Sequence, residues 1–327
     1  MRGTKCAHAV VGVFFLALLG GCATPQTREL LHAVPRNLPA RVELTRTPFF
    51  PQEAHQCGPA SLATVLGAAG TAVEPEQLTP QVYLPGREGS LQVEMLAAIR
   101  RHGMLAYPLA PSLTDLLTEV AAGTPAVVLQ NLAFNWYPLW HYAVVVGYDL
   151  DRKQIILRSG LERRQILPLS TFEHTWARSG YWAMLALPPG KLPRTATEAS
   201  YVAAAVALEQ AGQARAAHAA YRAALKRWPH NLAAQIGLGN TAYARGELRQ
   251  AERAYRQATA DHPESAAAFN NLAQALADER RYGPALRAAR RAVSLGGREQ
   301  GAYRETLEEI LKKFRRKGAR RPGAAAR

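Results

Sequence analysis

Beyond residue 41, the first half of the chain mixes two hydrophobic periods. Apolar positions with helical spacing predict helices over three ranges: 60–66, 91–102 and 112–122. Ser112 is the expected N-cap of the last helix, and Asp115 and Glu119 are placed on its polar side. Apolar runs of strand character predict four strands: 126–130, 142–148, 154–158 and 182–187. Helices followed by a sheet of antiparallel hairpins predict an α+β domain.

The pattern changes near residue 190, where the segment PPGKLP marks a domain boundary. Beyond it, residues recur with a period of 34: Gly212 and Gly246, Tyr221 and Tyr255, and Pro229 and Pro263. Small residues where paired helices cross, an aromatic residue in the second helix and a closing proline resemble the tetratricopeptide repeat. The resemblance implies an all-α solenoid of three repeats over residues 198–297, with a concave face that binds a protein partner. A capping helix and a basic tail are expected over 298–327.

A third apolar run lies at the start of the chain. A basic segment, MRGTK, precedes about a dozen apolar residues, which is too short for a bilayer span but fits a signal peptide. The run ends Leu-Gly-Gly-Cys at Cys22, which resembles the lipobox of a bacterial lipoprotein. This implies a signal peptide over 1–21, acylation of Cys22 and a lipid anchor in the cell envelope. Ala23, where an Asp could stand, favours the outer membrane facing the periplasm. The proline-containing residues 22–41 are predicted to be a tether.

Composition narrows the class of protein. A chain of 327 residues allows about two domains, and 48% hydrophobic residues exclude a mainly disordered protein. The net charge is +15, but residues 311–327 carry eight basic side chains and no acid, so the remainder supplies only +7. This distribution argues against a nucleic-acid-binding protein. Three cysteines exclude a disulfide scaffold. No metal-ligand spacing or phosphate-binding loop is present, so no cofactor is predicted.

One thiol, Cys57, remains after Cys6 leaves with the signal and Cys22 is acylated. Gly-Pro follows Cys57 and a helix begins, so the thiol lies at a helix N-terminus, which favours thiolate. His141 opens a β-rich run and can project into a cleft against that helix end. Gln52, five residues before the cysteine, can donate its amide to an oxyanion. A cysteine on a helix start and a histidine on a strand form the papain-type arrangement.

These residues also resemble a known family. The pattern Gln-x4-Cys-Gly-Pro-Ala-Ser-Leu, followed 84 residues later by His-Tyr-Ala-Val-Val-Val-Gly-Tyr-Asp, resembles the bacteriocin-processing (double-glycine leader) cysteine peptidases and their stand-alone relatives. The resemblance implies a papain-like fold over residues 42–190 and cleavage of a peptide bond in a peptide or protein substrate. It also implies that Cys57 is the nucleophile, His141 the base and Gln52 the oxyanion-hole residue.

The chain departs from that family at one position. The family places an Asp in the strand that returns after the His strand, whereas residues 156–160 read ILRSG. A backbone carbonyl, Ser159 or Asn131 could orient His141, or the site could be a Cys–His dyad. The domain could also have lost catalysis and serve as a peptide-binding scaffold of the cell envelope. The leading hypothesis is a lipid-anchored cysteine peptidase whose repeats recruit its substrate; acyl or amide transfer by the same residues is a further alternative.

Overall fold

A computed structural model describes residues 24–51 and 56–319. The chain divides into two compact units. The first comprises the described residues up to Ala98 together with Tyr107–Ala186, and the second comprises Ile99–Ala106 together with the described residues from Leu187 onward. The predicted signal peptide, its acylation point Cys22 and the predicted oxyanion residue Gln52 lie outside the described residues.

The α+β part of the chain contains nine strands and six helices among the described residues. The strands are β1 (Arg41–Glu43), β2 (Tyr83–Leu84), β3 (Gly89–Ser90), β4 (Leu105–Pro108), β5 (Ala126–Asn131), β6 (Trp140–Asp149), β7 (Gln154–Ser159), β8 (Glu162–Pro168) and β9 (Ala183–Leu187). The helices are α1 (Pro25–His32), α2 (Cys57–Ala68), α3 (Pro75–Val82), α4 (Gln92–Arg101), α5 (Leu113–Ala121) and α6 (Leu169–Ala177).

Seven of these strands form one sheet in the order β4-β9-β5-β6-β7-β8, with β1 paired to β6. The central strand β6 pairs with β5, with β7 and, at its far end, with β1, all antiparallel. Gly147 permits the last pairing, because a Cβ there would lie 2.5 Å from the carbonyl oxygen of Val42. Strands β2 and β3 form a separate hairpin. The sheet thus fixes the strand that carries His141 at its centre.

The predicted α+β order is confirmed, with local differences. Each predicted helix and strand is present, and Ser112 caps α5 by accepting a hydrogen bond from the backbone N–H of Asp115. Glu119 does not lie on a polar face; it is buried. Strand β8 was not predicted, because its side chains are mostly exposed and polar and form no apolar run.

The segment predicted to be a tether is folded where the structure describes it. Its residues Pro25–His32 form α1, in which Thr27 and Leu30 are buried. The fully buried carboxylate of Glu173 in α6 accepts the backbone N–H groups of Gln26 at 3.0 Å and Thr27 at 2.6 Å. The tether prediction was therefore wrong for these residues. No local pattern could reveal the contact, since its two sides are 147 positions apart.

The second unit contains three pairs of helices and a final helix: α7 (Glu198–Gln210), α8 (Ala214–Arg227), α9 (Leu232–Ala244), α10 (Leu248–Asp261), α11 (Ala266–Asp278), α12 (Tyr282–Leu295) and α13 (Gln300–Ala319). The 34-residue period of the sequence also appears in the N-cap residues of these helices. Thr197, Asn231 and Ser265, each 34 residues apart, accept a backbone N–H at the start of α7, α9 and α11. Across the described residues, no helix is both long enough and apolar enough to cross a bilayer.

The repeated tyrosines and small residues pack together as the repeat pattern requires. A Cβ on Gly237 would lie 2.2 Å from the ring of Tyr221, and one on Gly239 would lie 2.3 Å from the ring of Tyr255. Both tyrosines are buried, and the hydroxyl of Tyr255 donates to the side chain of Asn240. Glycine is therefore needed on α9 at the two places where α8 and α10 approach it closely. The predicted all-α repeat architecture is confirmed.

Candidate active site

Cys57 is the first residue of α2, as the Gly-Pro sequence after it predicts. The helix N-cap is Gln56, whose side chain makes no capping hydrogen bond, so the first amides of the helix have no side-chain acceptor from the N-cap. The helix is buried from Gly58 to Leu66 and packs on β6. The cysteine itself is half-buried. This burial fixes the thiol at the end of a rigid helix.

His141 is the second residue of β6 and pairs with Gln130 of β5. It lines the same cleft as Cys57, a cavity of about 910 Å³. Backbone hydrogen bonding from Tyr142, the residue after His141, is among the effects that lower the pKa of the Cys57 thiol. The structure therefore brings together the two residues that the sequence separates by 84 positions.

Burial, and not the helix end, dominates the ionisation of the two groups. Burial raises the pKa of the Cys57 thiol, and hydrogen bonds from the backbone amides of Tyr142, Gly58 and Cys57 only partly oppose it. Burial also lowers the pKa of the His141 imidazole. Both changes favour neutral groups. The expected stabilisation of a resting thiolate by the helix N-terminus is thus outweighed by desolvation.

Ser159, the last residue of β7, is the partner of His141. Its hydroxyl oxygen lies 2.9 Å from Nε2 of the imidazole, and the residue is buried. Asn131 is not the partner, because its buried side chain bonds the backbone of Ala133, Phe134 and Leu139. Asp149 stands eight residues farther along β6, about 27 Å at the rise of a strand, and pairs with arginines. Among the alternatives left by the sequence, the structure selects Ser159.

The opposite wall of the cleft includes the β2–β3 hairpin, which sequence analysis missed. Ser90, at the end of β3, lies against the start of α2: a Cβ on Gly58 would be 2.3 Å from its hydroxyl oxygen. That oxygen is buried with no hydrogen-bond partner in the described structure, while the Ser90 carbonyl accepts a hydrogen bond from Tyr142 Oη at 3.1 Å. The two-residue strands are too short to leave a periodic signal. The turn residues Pro85 and Gly86 are the sequence features that could have indicated the hairpin.

The aromatic residues on either side of His141 differ in exposure. Only Tyr142, which follows the histidine, is buried. Trp136 is 81% exposed and Tyr137 is 71% exposed, and neither lines the cleft. Trp140 is half exposed and does line it. The segment between β5 and β6 therefore extends from the cleft into solvent.

The described residues hold no cluster of three or more histidine, cysteine, aspartate or glutamate side chains that could bind a metal ion. The chemistry of the cleft rests on a thiol, an imidazole, a hydroxyl and the amides at the start of α2. That set of groups is suited to nucleophilic attack on a carbonyl carbon.

Comparison with known proteins agrees with this arrangement. A family model described as the Peptidase_C39 like family matches residues 44–184, and a tetratricopeptide repeat model matches residues 208–276. The comparison with curated proteins gave no match.

Three solved structures show similarity to parts of the chain. A protein from Bacillus anthracis described as a C39-like peptidase is 21% identical over 47% of this chain and 99% of its own, with a TM-score of 0.38. The Sgt2 repeat domain of Aspergillus fumigatus is 20% identical over 40% of this chain and 88% of its own, with a TM-score of 0.35. The type III secretion translocator chaperone SycD of Yersinia enterocolitica is 18% identical over 35% of this chain and 83% of its own, with a TM-score of 0.34. The chain thus contains a C39-like peptidase domain over residues 44–184, followed by tetratricopeptide repeats over residues 208–276.

Proposed function

We propose that this chain is a lipid-anchored cysteine peptidase that cleaves a peptide bond in a protein or peptide recruited by its helical repeats. One observation carries the proposal: Cys57 and His141 line one cleft, and Ser159 holds Nε2 of the histidine at 2.9 Å. A buried thiol alone is more often a small apolar residue than a nucleophile. An imidazole that lines the same cleft and is oriented by Ser159 is what favours catalysis.

The arrangement suggests how the reaction proceeds. Because Nε2 is occupied by Ser159, Nδ1 is the nitrogen left to take the proton from the Cys57 thiol. Since both groups are neutral at rest, the proton moves as the sulfur attacks the carbonyl carbon of the substrate. The amides of Cys57 and Gly58 at the helix start can donate to the developing oxyanion. His141 then protonates the leaving amine, and water hydrolyses the thioester.

The partner of His141 sets the strength of the base. A carboxylate beside an imidazole raises its pKa and stabilises the imidazolium, whereas the neutral hydroxyl of Ser159 only orients the ring. This is consistent with the lowered pKa of His141. We therefore infer a site that activates its thiol by proton transfer during attack and not by a standing thiolate–imidazolium pair.

Location and recruitment complete the proposal. Acylation of Cys22 would hold the peptidase domain at the outer membrane, facing the periplasm, because the sequence before that cysteine resembles a lipobox. The helical repeats would bind a protein or peptide partner, which is the common role of this architecture. Tethering the substrate to the same chain raises its concentration near Cys57.

The experiment that tests the proposal compares the mature protein with its Cys57→Ala variant. Each is incubated with a complex library of peptides, and new termini are identified by mass spectrometry. We expect new termini that share a sequence motif with the wild-type protein alone. No new terminus with the wild type, under conditions where a repeat-binding peptide is retained, would contradict it.

A second function has a specific observation in its favour. The same burial that keeps Cys57 and His141 neutral, together with the absence of an acidic partner for His141 among the described residues, fits a peptide-binding scaffold without catalysis. In that case Cys57→Ala would bind peptides in the cleft as well as the wild type does, and neither would cleave them. The library experiment separates the two functions, since only the peptidase yields termini that depend on Cys57.

A further inference from the structure

An exposed apolar surface lies beside the cleft. We call residues 132–140, which join β5 to β6, the aromatic loop. It holds half of the exposed large hydrophobic residues found in the described chain: Leu132, Phe134, Trp136, Tyr137, Leu139 and Trp140. Single exposed hydrophobic residues are ordinary on a protein surface, whereas six within nine positions indicate a binding surface.

The loop is held in this conformation by polar contacts at its base. The buried side chain of Asn131 accepts the backbone N–H groups of Ala133 and Leu139 and donates to the carbonyl of Phe134. Arg178, the C-cap of α6, donates to the carbonyls of Asn131 at 3.2 Å and Ala133 at 2.5 Å. The exposure of the aromatic rings is therefore built into the fold.

The tip of the loop is convex. The backbones of Phe134 and Tyr137 form an isolated β-bridge, and the ring of Trp136 stacks on Phe134 with centroids 5.6 Å apart. With Trp136 81% exposed, the tip is a protrusion and not the wall of a pocket. Small ligands and single side chains are bound in concave sites, whereas a protruding tip needs a partner that closes around it. The interface of a lipid bilayer is such a partner, and tryptophan and tyrosine are enriched there.

The charges around the loop agree with an anionic bilayer. No Asp, Glu, Lys or Arg occurs from residue 131 to residue 148. Arg178 lies at the base of the loop, and the chain carries a net charge of +15, of which residues 311–327 supply +8. Such a chain is attracted to anionic lipid head groups. We propose that the aromatic loop inserts its tip into the interface of an anionic phospholipid bilayer.

The start of the chain supports the same occupant, in a step that rests on the acylation of Cys22 proposed above. Pro25, where α1 begins, is three residues beyond Cys22 in the sequence, so only a short stretch of chain would join the acylated residue to that helix. Helix α1 is bonded to Glu173 of α6, and Arg178 at the end of α6 holds the loop. The two residues are five positions apart, about 7.5 Å along a helix. One short helix thus connects both membrane contacts.

Docking of the tip has a consequence for the cleft. Leu132, Leu139 and Trp140 belong to the loop and also line the cavity that holds Cys57 and His141. A loop seated on a bilayer brings the mouth of this cavity to the membrane surface. The substrate would then be a peptide segment close to that surface.

Fluorescence quenching tests the proposal. The mature full-length protein is combined with vesicles of phosphatidylethanolamine and phosphatidylglycerol in equal amounts, with or without bromine atoms on the acyl carbons nearest the head groups. Bromine quenches tryptophan on contact, and the chain has five tryptophans. We expect brominated vesicles to quench the wild-type protein and Trp136→Phe to remove most of the quenching. The control is Trp228→Phe, the same change at a partly exposed tryptophan of the second unit.

A second matched pair supports the reading of this result. Phe134→Ser removes the ring on which Trp136 stacks and should reduce quenching, whereas Phe314→Ser, at an exposed phenylalanine of α13, should not. Quenching that is equal in the wild type and Trp136→Phe, or absent from both, overturns the proposal. So does a dimer in sedimentation that Trp136→Ser dissociates, because the tip is then covered by a second copy. A peptide-binding measurement without vesicles can also overturn the proposal. If Cys57→Ala binds peptide and the double variant Cys57→Ala/Trp136→Ser does not, the loop binds peptide and not the bilayer.

The acylation is measured separately, by mass spectrometry of the N-terminal peptide. An unmodified Cys22 together with quenching that depends on Trp136 removes the proposed anchor and supports the loop as the membrane contact. An acylated Cys22 with no such quenching keeps the anchor and overturns the loop.

Discussion

The two units of this chain build their contacts over different distances in sequence. In the repeats, Tyr255 packs on Gly239 and bonds Asn240, both within the same helical pair. In the peptidase domain, Cys57 and His141 are 84 residues apart, and Glu173 binds backbone 147 residues earlier. In the repeats, residues that are close in sequence make the packing contacts, so the repeat pattern predicts them. The cleft depends on contacts between residues far apart in sequence, which no local pattern predicts.

The same difference applies to polar groups. A buried tyrosine of the repeats finds its partner nearby, as the Tyr221 hydroxyl finds Glu209 at 2.6 Å. The polar groups of the cleft come from α2, β3, β6 and β7, of which only β6 and β7 are neighbours in the main sheet. Changes in the repeats should therefore alter stability, and changes in the cleft should alter chemistry.

The largest expected effect is on chemistry. His141→Ala removes the base, and general-base catalysis contributes about 10²–10⁴-fold, so kcat/KM for a peptide from the library should fall by that factor. The melting temperature should change little by comparison. His32→Ala, at an exposed histidine of α1, is the control and should retain the activity. Equal rates in His141→Ala and the wild type would contradict the proposed role.

The pH dependence of the thiol has the next largest effect. A raised pKa leaves less thiolate at a given pH, and the lowered pKa of His141 shifts the imidazole toward its neutral form. The rate of Cys57 alkylation by iodoacetamide should therefore rise about tenfold per pH unit between pH 6 and 8 without levelling off. A plateau in that range would show that the helix N-terminus and His141 hold a thiolate after all.

A smaller effect is expected from the repeats, on stability alone. Gly239→Ala places a methyl group against the ring of Tyr255 and should reduce the free energy of unfolding by about 1–3 kcal/mol. Gly301→Ala, in α13 with open space around the new Cβ, is the control and should stabilise by about 0.5–1 kcal/mol. Urea unfolding measures both. Peptide cleavage at saturating substrate should be unchanged where the protein is folded, and similar destabilisation by the two variants would argue against close helix crossing at Gly239.

The smallest effect sharpens the role of Ser159. Loss of one hydrogen bond in Ser159→Ala should lower kcat/KM about fivefold. Ser159→Asp places a carboxylate beside Nε2, which raises the pKa of His141 and moves the acidic limb of the rate profile to higher pH. A merely structural serine would change stability in both variants and leave the position of that limb unchanged.

Much of the fold could be predicted from the sequence, for physical reasons that differ between regions. The period of 34 fixes the repeat helices, because each cap and each crossing residue acts on its own helical pair. The apolar run of β6 predicts a buried strand, and Gly-Pro after Cys57 predicts a helix start. By contrast, β8 and the β2–β3 hairpin show no apolar period in the sequence. Each of these strands forms by pairing with another strand, so the local sequence does not predict it.

The sequence by itself determined the order of the units, and it predicts the residues that would do the chemistry and the cysteine that would carry lipid. Only the tertiary structure decided that Ser159, and not Asn131 or Asp149, orients His141, because that choice depends on how β6 and β7 are paired. It also decided that desolvation outweighs the helix end at Cys57, that α1 is bound to α6, and that the aromatic loop is exposed. Each of these depends on burial and on partners distant in sequence, which residue order does not encode locally.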